Sequence, residues 1–190
     1  MLADFVCSKQ LDKKLYVSSD LRSDEAGNFL DMTMGLDTIC NAIAALVGPQ
    51  QYDAGLAAVQ LVKAGTHLHG THPNVDRWTS VWSGFSVIVN RMTFLHRDVG
   101  AAPMDYDLLV SGGTHQQCTL DVHELGSRLS YLPGTVVAIV GKVLRHGVKT
   151  WDGGERVCQA HFMKDMVHDR LEQSRPEWVY YDDYINLTSR

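Results

Sequence analysis

The chain has no excess of positive charge. It carries 17 Lys and Arg against 22 Asp and Glu, a formal net charge of −5 with histidine neutral. That excludes nucleic-acid binding by a generally basic surface. A local basic patch remains available in Lys142, Arg145 and Lys149, which lie close in sequence; the alternative is scattered solvated cations. Cysteine is scarce. Cys7, Cys40, Cys118 and Cys158 lie far apart with no CxxC pair, so free buried thiols in a reducing compartment are the simplest reading. No apolar run approaches the ~20 residues of a membrane span; the longest lie near Ile39–Val47 and Thr135–Val140. The N-terminus has an acid at Asp4 and no long apolar segment, which argues against a secretory signal. Internal repeats and low-complexity linkers are also missing.

What is present is an ordinary core. Hydrophobic residues make up 45% of 190 residues, which predicts one domain over 1–190. Residues 1–77 read as a mainly helical N-terminal lobe, with "SSDLRSDEAGN" as a polar loop. Two helices fall in 36–65, broken at Gly48-Pro49 and stopped at Gly65, with Ile39, Ile43, Leu46, Leu56, Val59 and Val62 as their apolar stripe. "THLHGTHPNVDR" reads as a loop whose His67, His69 and His72 are solvated rather than ligating. From Trp78 the texture changes to short β-branched runs separated by Gly, Pro and Asp, spaced as in an antiparallel jelly roll over 78–163. A helix near Lys164–Leu171 and an acidic, aromatic tail complete 164–190.

The stretch "MTFLHRDVG" raises the chemical question. Roughly one His-x-acid pair is expected by chance from nine histidines, so His96-Arg97-Asp98 needs context. A kinase catalytic loop is excluded: Val99 follows the triplet, position 103 is Pro, and neither a Gly-rich nucleotide loop nor a DFG exists. An iron site needs a His and a carboxylate at i and i+2 on one strand face, and a second His from a later strand. His96 and Asp98 meet the first condition. His146 meets the second, after a Pro133-Gly134 turn and an apolar strand. Arg156 lies ten residues further, in the next predicted strand, where a guanidinium can take a carboxylate bidentately. This order is the layout of the double-stranded β-helix oxygenases, so the expected fold is α+β with a double-stranded β-helix (jelly-roll, cupin-like) core and supporting N-terminal helices.

The blocks "WTSVWSGFSVIVNRMTFLHRD", "YDLLVSGG", "LSYLPGTVVAIVGKVLRHGV" and "ERVCQAHFMKDMVHDRL" resemble the TET/JBP-like 2-oxoglutarate- and Fe(II)-dependent dioxygenases, in particular those of mushroom-forming fungi. The resemblance covers about residues 52–180. It implies iron(II) on His96, Asp98 and His146, and 2-oxoglutarate held by Arg156, with Arg91 near its other end. It also implies stepwise oxidation of the methyl group of 5-methylcytosine in DNA, in some members demethylation of N6-methyladenine, on a base flipped from duplex DNA in an intracellular, nuclear setting. Base contacts are expected from Asp105 and His161, with Phe94 or Tyr106 available for stacking. Two alternatives stay open here: a 2-oxoglutarate-dependent hydroxylase of a small molecule or protein side chain, and a non-enzymatic β-sandwich binding module. No membrane partner is expected.

Overall fold

The computed structural model describes residues 2–4, 6–8, 14–65, 67–70, 72–178, 180 and 182. In chain order the strands and α-helices are β1 (Leu2–Asp4), β2 (Val6–Ser8), β3 (Leu15–Val17), α1 (Asp24–Val47) and α2 (Pro49–Lys63). Then come β4 (Gly84–Val89), β5 (Thr93–His96), β6 (Asp107–Gly113), β7 (Gln117–Val122) and β8 (Ser127–Ser130). The last are β9 (Val136–Ile139), β10 (His146–Val148), β11 (Trp151–Asp152), β12 (Arg156–Phe162) and α3 (Asp165–Arg170).

Two sheets form the body. The larger runs β1-β4-β12-β6-β9 and the smaller β11-β7-β10-β5, with β8 paired to β7. Their strand pairs are antiparallel and, apart from the β7–β8 hairpin, non-consecutive in sequence, the arrangement of a double-stranded β-helix. Strand alternation divides the larger sheet into two chemistries. Arg156, Cys158, Ala160 and Phe162 of β12, with Leu109 of β6 and Ile88 of β4, face the interior between the sheets. Phe85 of β4 and Leu108 of β6 face the helices. The inter-sheet core is Leu109, Leu120, Val122, Tyr131, Ile139 and Val148. The helix-side core joins Leu30, Val59, Val62, Trp78 and Phe85, with Val167 and Leu171 from the α3 end.

α1 starts at Asp24, inside the stretch expected to be loop. The Ser23 side chain accepts from Ala26 N at 3.1 Å, and Asp24 and Glu25 sit in the first turn, where the helix dipole favours them. The break at Gly48-Pro49 and the stop at Gly65 (φ 78°) are as read from sequence. The buried stripe of α1 is not: it runs through Leu30, Asp37, Cys40 and Ala44, while Ile39 and Leu46 are exposed. Polar bonds decide that rotation. Asp37 accepts from Thr79 Oγ1 at 2.7 Å, and Asn41 bridges Thr79 O and Val81 N. By length and composition α1 is apolar enough to cross a bilayer, which counting uninterrupted apolar residues does not reveal. These buried polar bonds tie it to the protein body instead.

The histidine loop was expected to carry solvated rings; two of them instead meet other groups of the protein. His69 stacks on Tyr16 with centroids 4.8 Å apart, and His72 Nδ1 caps the short turn at Asn74 N. Cys40, Cys118 and Cys158 are free and buried; Cys7 lies outside the residues whose side chains are described.

Candidate active site

β5 and β10 are antiparallel neighbours with His96 directly opposite His146. This register sets the two rings side by side, centroids 4.6 Å apart. Asp98 lies two residues beyond His96, its backbone N–H held by Gly141 O at 2.9 Å. Its Oδ1 is 3.3 Å from His96 Nε2 and its Oδ2 is 3.5 Å from His146 Nε2. The three ligand atoms all lie within 4.8 Å of one another, and among the described residues this is the one such cluster of three His, Cys, Asp or Glu side chains.

Both histidines turn Nδ1 to a backbone carbonyl two residues earlier: His96 to Phe94 O at 2.9 Å, His146 to Leu144 O at 3.1 Å. A carbonyl only accepts, so each Nδ1 carries the proton and each Nε2 presents a lone pair. Two lone pairs and a carboxylate oxygen then converge with no proton between them, and a cation reconciles them. Neighbouring ligands about 2.1 Å from a shared ion stand about 3 Å apart, close to these separations. The donor set, two neutral imidazoles and one carboxylate with one side open, suits iron(II).

A cavity of about 400 Å³ opens on the triad. His96, Asp98 and His146 line it, as do Arg91, Arg97 and Arg156. Arg156 is 2% exposed. Its Nη1 donates to Arg91 O at 2.9 Å, its Nε has no partner, and among the described residues no carboxylate pairs with it. A buried guanidinium in that state is incomplete without an anion. Arg97, the middle residue of the triplet, braces the ligand loop: it donates to Val143 O and to Glu124, which also accepts from Arg145.

Of the two expected base contacts, His161 reaches the cavity wall and Asp105 does not. Asp105 is buried but does not line it; its carboxyl is pushed up to about 6, chiefly by burial, among Ala102, Asp165 and Arg175. His161 borders the cavity, yet its ring belongs to the helix-side layer, packed on Trp82 and Phe85 at 5.3 and 6.0 Å. Odd positions of β12 face the helices, and His161 is one of them. Burial lowers its pKa to about 4. Phe94 is 73% exposed and outside the lining, and Tyr106 bonds through its backbone to Gln51 of α2.

The structure brings in three residues the sequence reading did not assign. Phe162 is the aromatic on the cavity face of β12, and Lys164 follows it at the wall. Asp107 opens β6 on the same face, 1% exposed, with no well-formed hydrogen bond to either carboxyl oxygen. Burial, then the charge of Asp98, drives its carboxyl well above the usual range. Gly141 permits this pairing, because a Cβ there would collide with Oδ2 of both Asp98 and Asp107. Alternation within β6 pointed to Asp107, but the strand's start was not readable from sequence.

A histidine–aspartate–histidine face set in a double-stranded β-helix, with a buried arginine facing the same cavity, defines the class of iron(II)- and 2-oxoglutarate-dependent oxygenases. Comparison with known proteins gives the family. The family model Tet_JBP, oxygenase domain of the 2OGFeDO superfamily, matches residues 11–165, and the chain belongs to that family. Among solved structures, NgTET1 in complex with 5mC DNA superposes with TM-score 0.63 at 12% identity, over 100% of this chain and 68% of that one. A Cupin 2 conserved barrel domain protein from Salinispora arenicola CNS-205 superposes with TM-score 0.35 at 18% identity, over 47% of this chain and 69% of that one. No curated protein sequence matches. The chain is therefore an oxygenase using iron(II) and 2-oxoglutarate, not a non-enzymatic β-sandwich.

Proposed function

We propose that this oxygenase oxidises the methyl group of 5-methylcytosine in DNA, to the hydroxymethyl form and further, and acts also on N6-methyladenine. The observation that carries the reading is the cavity of about 400 Å³ with the triad on its wall and Arg156 buried in it. That size lies within the roughly 300–1,000 Å³ of small-molecule sites and suits a 2-oxo diacid beside one nucleobase. A duplex does not enter it, so the base must be flipped out. The fold likeness to NgTET1 in complex with 5mC DNA supports the same substrate class.

His96, Asp98 and His146 would hold the metal, and Arg156 the distal carboxylate of 2-oxoglutarate, with Arg91 toward its other end. When bound, the two cofactors supply dioxygen activation coupled to decarboxylation of the 2-oxo acid. The chain's own residues orient and select. Phe162 offers an aromatic face on which a flipped base can stack, and Lys164 and Asp107 offer a donor and a carboxyl to its pairing edge. Asp105 and His161 are left to structural roles.

A second reading has its own observation. The sequence-predicted basic patch is largely neutralised: Lys149 lies 3.7 Å from Asp121, and Arg145 bonds Glu124. A small-molecule or protein side-chain substrate needs no such patch. One assay separates the two: nucleoside mass spectrometry after incubation with iron(II), 2-oxoglutarate and methylated duplex DNA. Hydroxymethylcytosine is the expected product. Succinate formation with both methylated bases intact would reject the DNA substrate in favour of the second reading.

A further inference from the structure

We propose that Glu124, in the turn between β7 and β8, is a positioning residue that clasps the two segments carrying His96, Asp98 and His146 and holds their ligand atoms together. This rests on the reading of the triad as the metal site and adds to it a residue that does not line the cavity. Arg97 stands between His96 and Asp98, and Arg145 stands immediately before His146. Glu124 Oε1 accepts from Arg97 Nη2 at 2.8 Å and from Arg145 Nε at 2.9 Å. Its Oε2 accepts from the Arg145 backbone N–H at 2.6 Å.

The strand order shows what such a clasp supplies. β5 ends the smaller sheet, with β10 as its one neighbour there. Their pairing is thin: His96 stands opposite His146 and Thr93 opposite Val148, with an irregularity between them. Asp98 lies beyond that pairing. Glu124 is two residues past Val122, which faces His146 from the other side of β10. Its carboxylate therefore reaches from the end of β7 across β10 to the residue between His96 and Asp98. Charge-assisted bonds, two of them to Arg145, fix direction as well as distance. Arg97 and Arg145 bond the same oxygen, so without the anion two guanidiniums would face each other across the β5–β10 pair. Their repulsion would push the ligand segments apart. Partly exposed ion pairs of this kind contribute little to global stability, so the effect falls on the triad rather than on the fold.

The test is calorimetric Mn(II) titration of the wild type, Glu124→Ala and Glu124→Gln, with Asp121→Asn as control. The Asp121 carboxylate pairs with Arg128 and Lys149, so its loss removes one negative charge from the same strand and leaves the clasp closed. Glu124→Ala is expected to weaken Mn(II) binding about tenfold. Glu124→Gln should lose less, because the amide oxygen still accepts, and Asp121→Asn should match the wild type. The metal-free melting temperature of Glu124→Ala should stay within about 4 °C of the wild type. The visible absorption of the Co(II)-loaded protein at saturating metal reports ligand geometry, and it should change in Glu124→Ala and not in Asp121→Asn. Wild-type Mn(II) affinity with an unchanged Co(II) spectrum in Glu124→Ala overturns the proposal. So does an equal loss in Asp121→Asn, which would reduce the role of Glu124 to its charge. A folded wild-type protein that binds no Mn(II) would instead overturn the metal reading beneath it.

Discussion

Replacing Gly141 with alanine tests the triad geometry without touching a ligand. The added methyl group would collide with Oδ2 of Asp98 and of Asp107, closer than Cβ atoms approach anything in folded proteins. The Asp98 backbone cannot step aside, since its N–H is tied to the carbonyl of Gly141 itself. The carboxylates must rotate instead. Overpacking of this kind costs about 1–3 kcal/mol of stability. Rotation also breaks the 3.3 and 3.5 Å approaches of Asp98 to His96 and His146. Disturbing the groups that orient a metal ligand lowers metal affinity about 10–100-fold. Calorimetric Mn(II) titration, beside a thermal melt of the metal-free protein, reads both effects. A Gly141→Ala protein that melts a few degrees lower and binds Mn(II) at wild-type affinity would refute the reasoning, because it would mean that Asp98 is not held where the metal needs it.

Three further outcomes are expected. Mn(II) should raise the melting temperature of the wild type and leave His146→Ala unmoved; an equal rise in both would remove His146 from the ligand set. Arg156→Leu should abolish measurable 2-oxoglutarate binding while raising the stability of the cofactor-free protein by about 1–3 kcal/mol, because a buried cation without an anion is replaced by an apolar side chain; a fall in stability on chemical denaturation would count against the missing anion. His168 is buried and its pKa is lowered to about 4, by burial first and by Arg175 second, against Asp165 and Asp169. The unfolded imidazole titrates near 6.5, so stability present above that pH is lost as pH falls toward 4, by at most about 3 kcal/mol. Asp105, raised to about 6, works in the opposite direction below that pH. The difference between wild type and His168→Leu isolates the histidine: the variant's stability should fall less steeply between pH 6.5 and 4, and parallel curves would show that His168 is not protonated on unfolding.

Local rules settle much of this protein. The i, i+2 spacing of His96 and Asp98, the later His146 and Arg156, the helix break at Gly48-Pro49 and the β-rich texture after Trp78 are properties of neighbouring residues and strand period, and they are readable directly. The helix faces are not. Ile39 and Leu46 look like core and are exposed, because hydrogen bonds from Asp37 and Asn41 to residues some forty positions away rotate α1. The substrate end of the site is likewise beyond local reading. Whether His161 or Phe162 faces the cavity depends on the phase of β12, fixed by its pairing with β4 and β6. A one-residue change of phase exchanges the two. Asp107 rather than Asp105 lines the cavity for a different reason: the two share one strand phase, but Asp107 is the first residue of the paired strand β6 and Asp105 lies before it. Sequence determined which atoms can bind iron and 2-oxoglutarate. Tertiary register alone decided which side chains stand opposite them, since it arises from contacts between strands that the chain order does not place together.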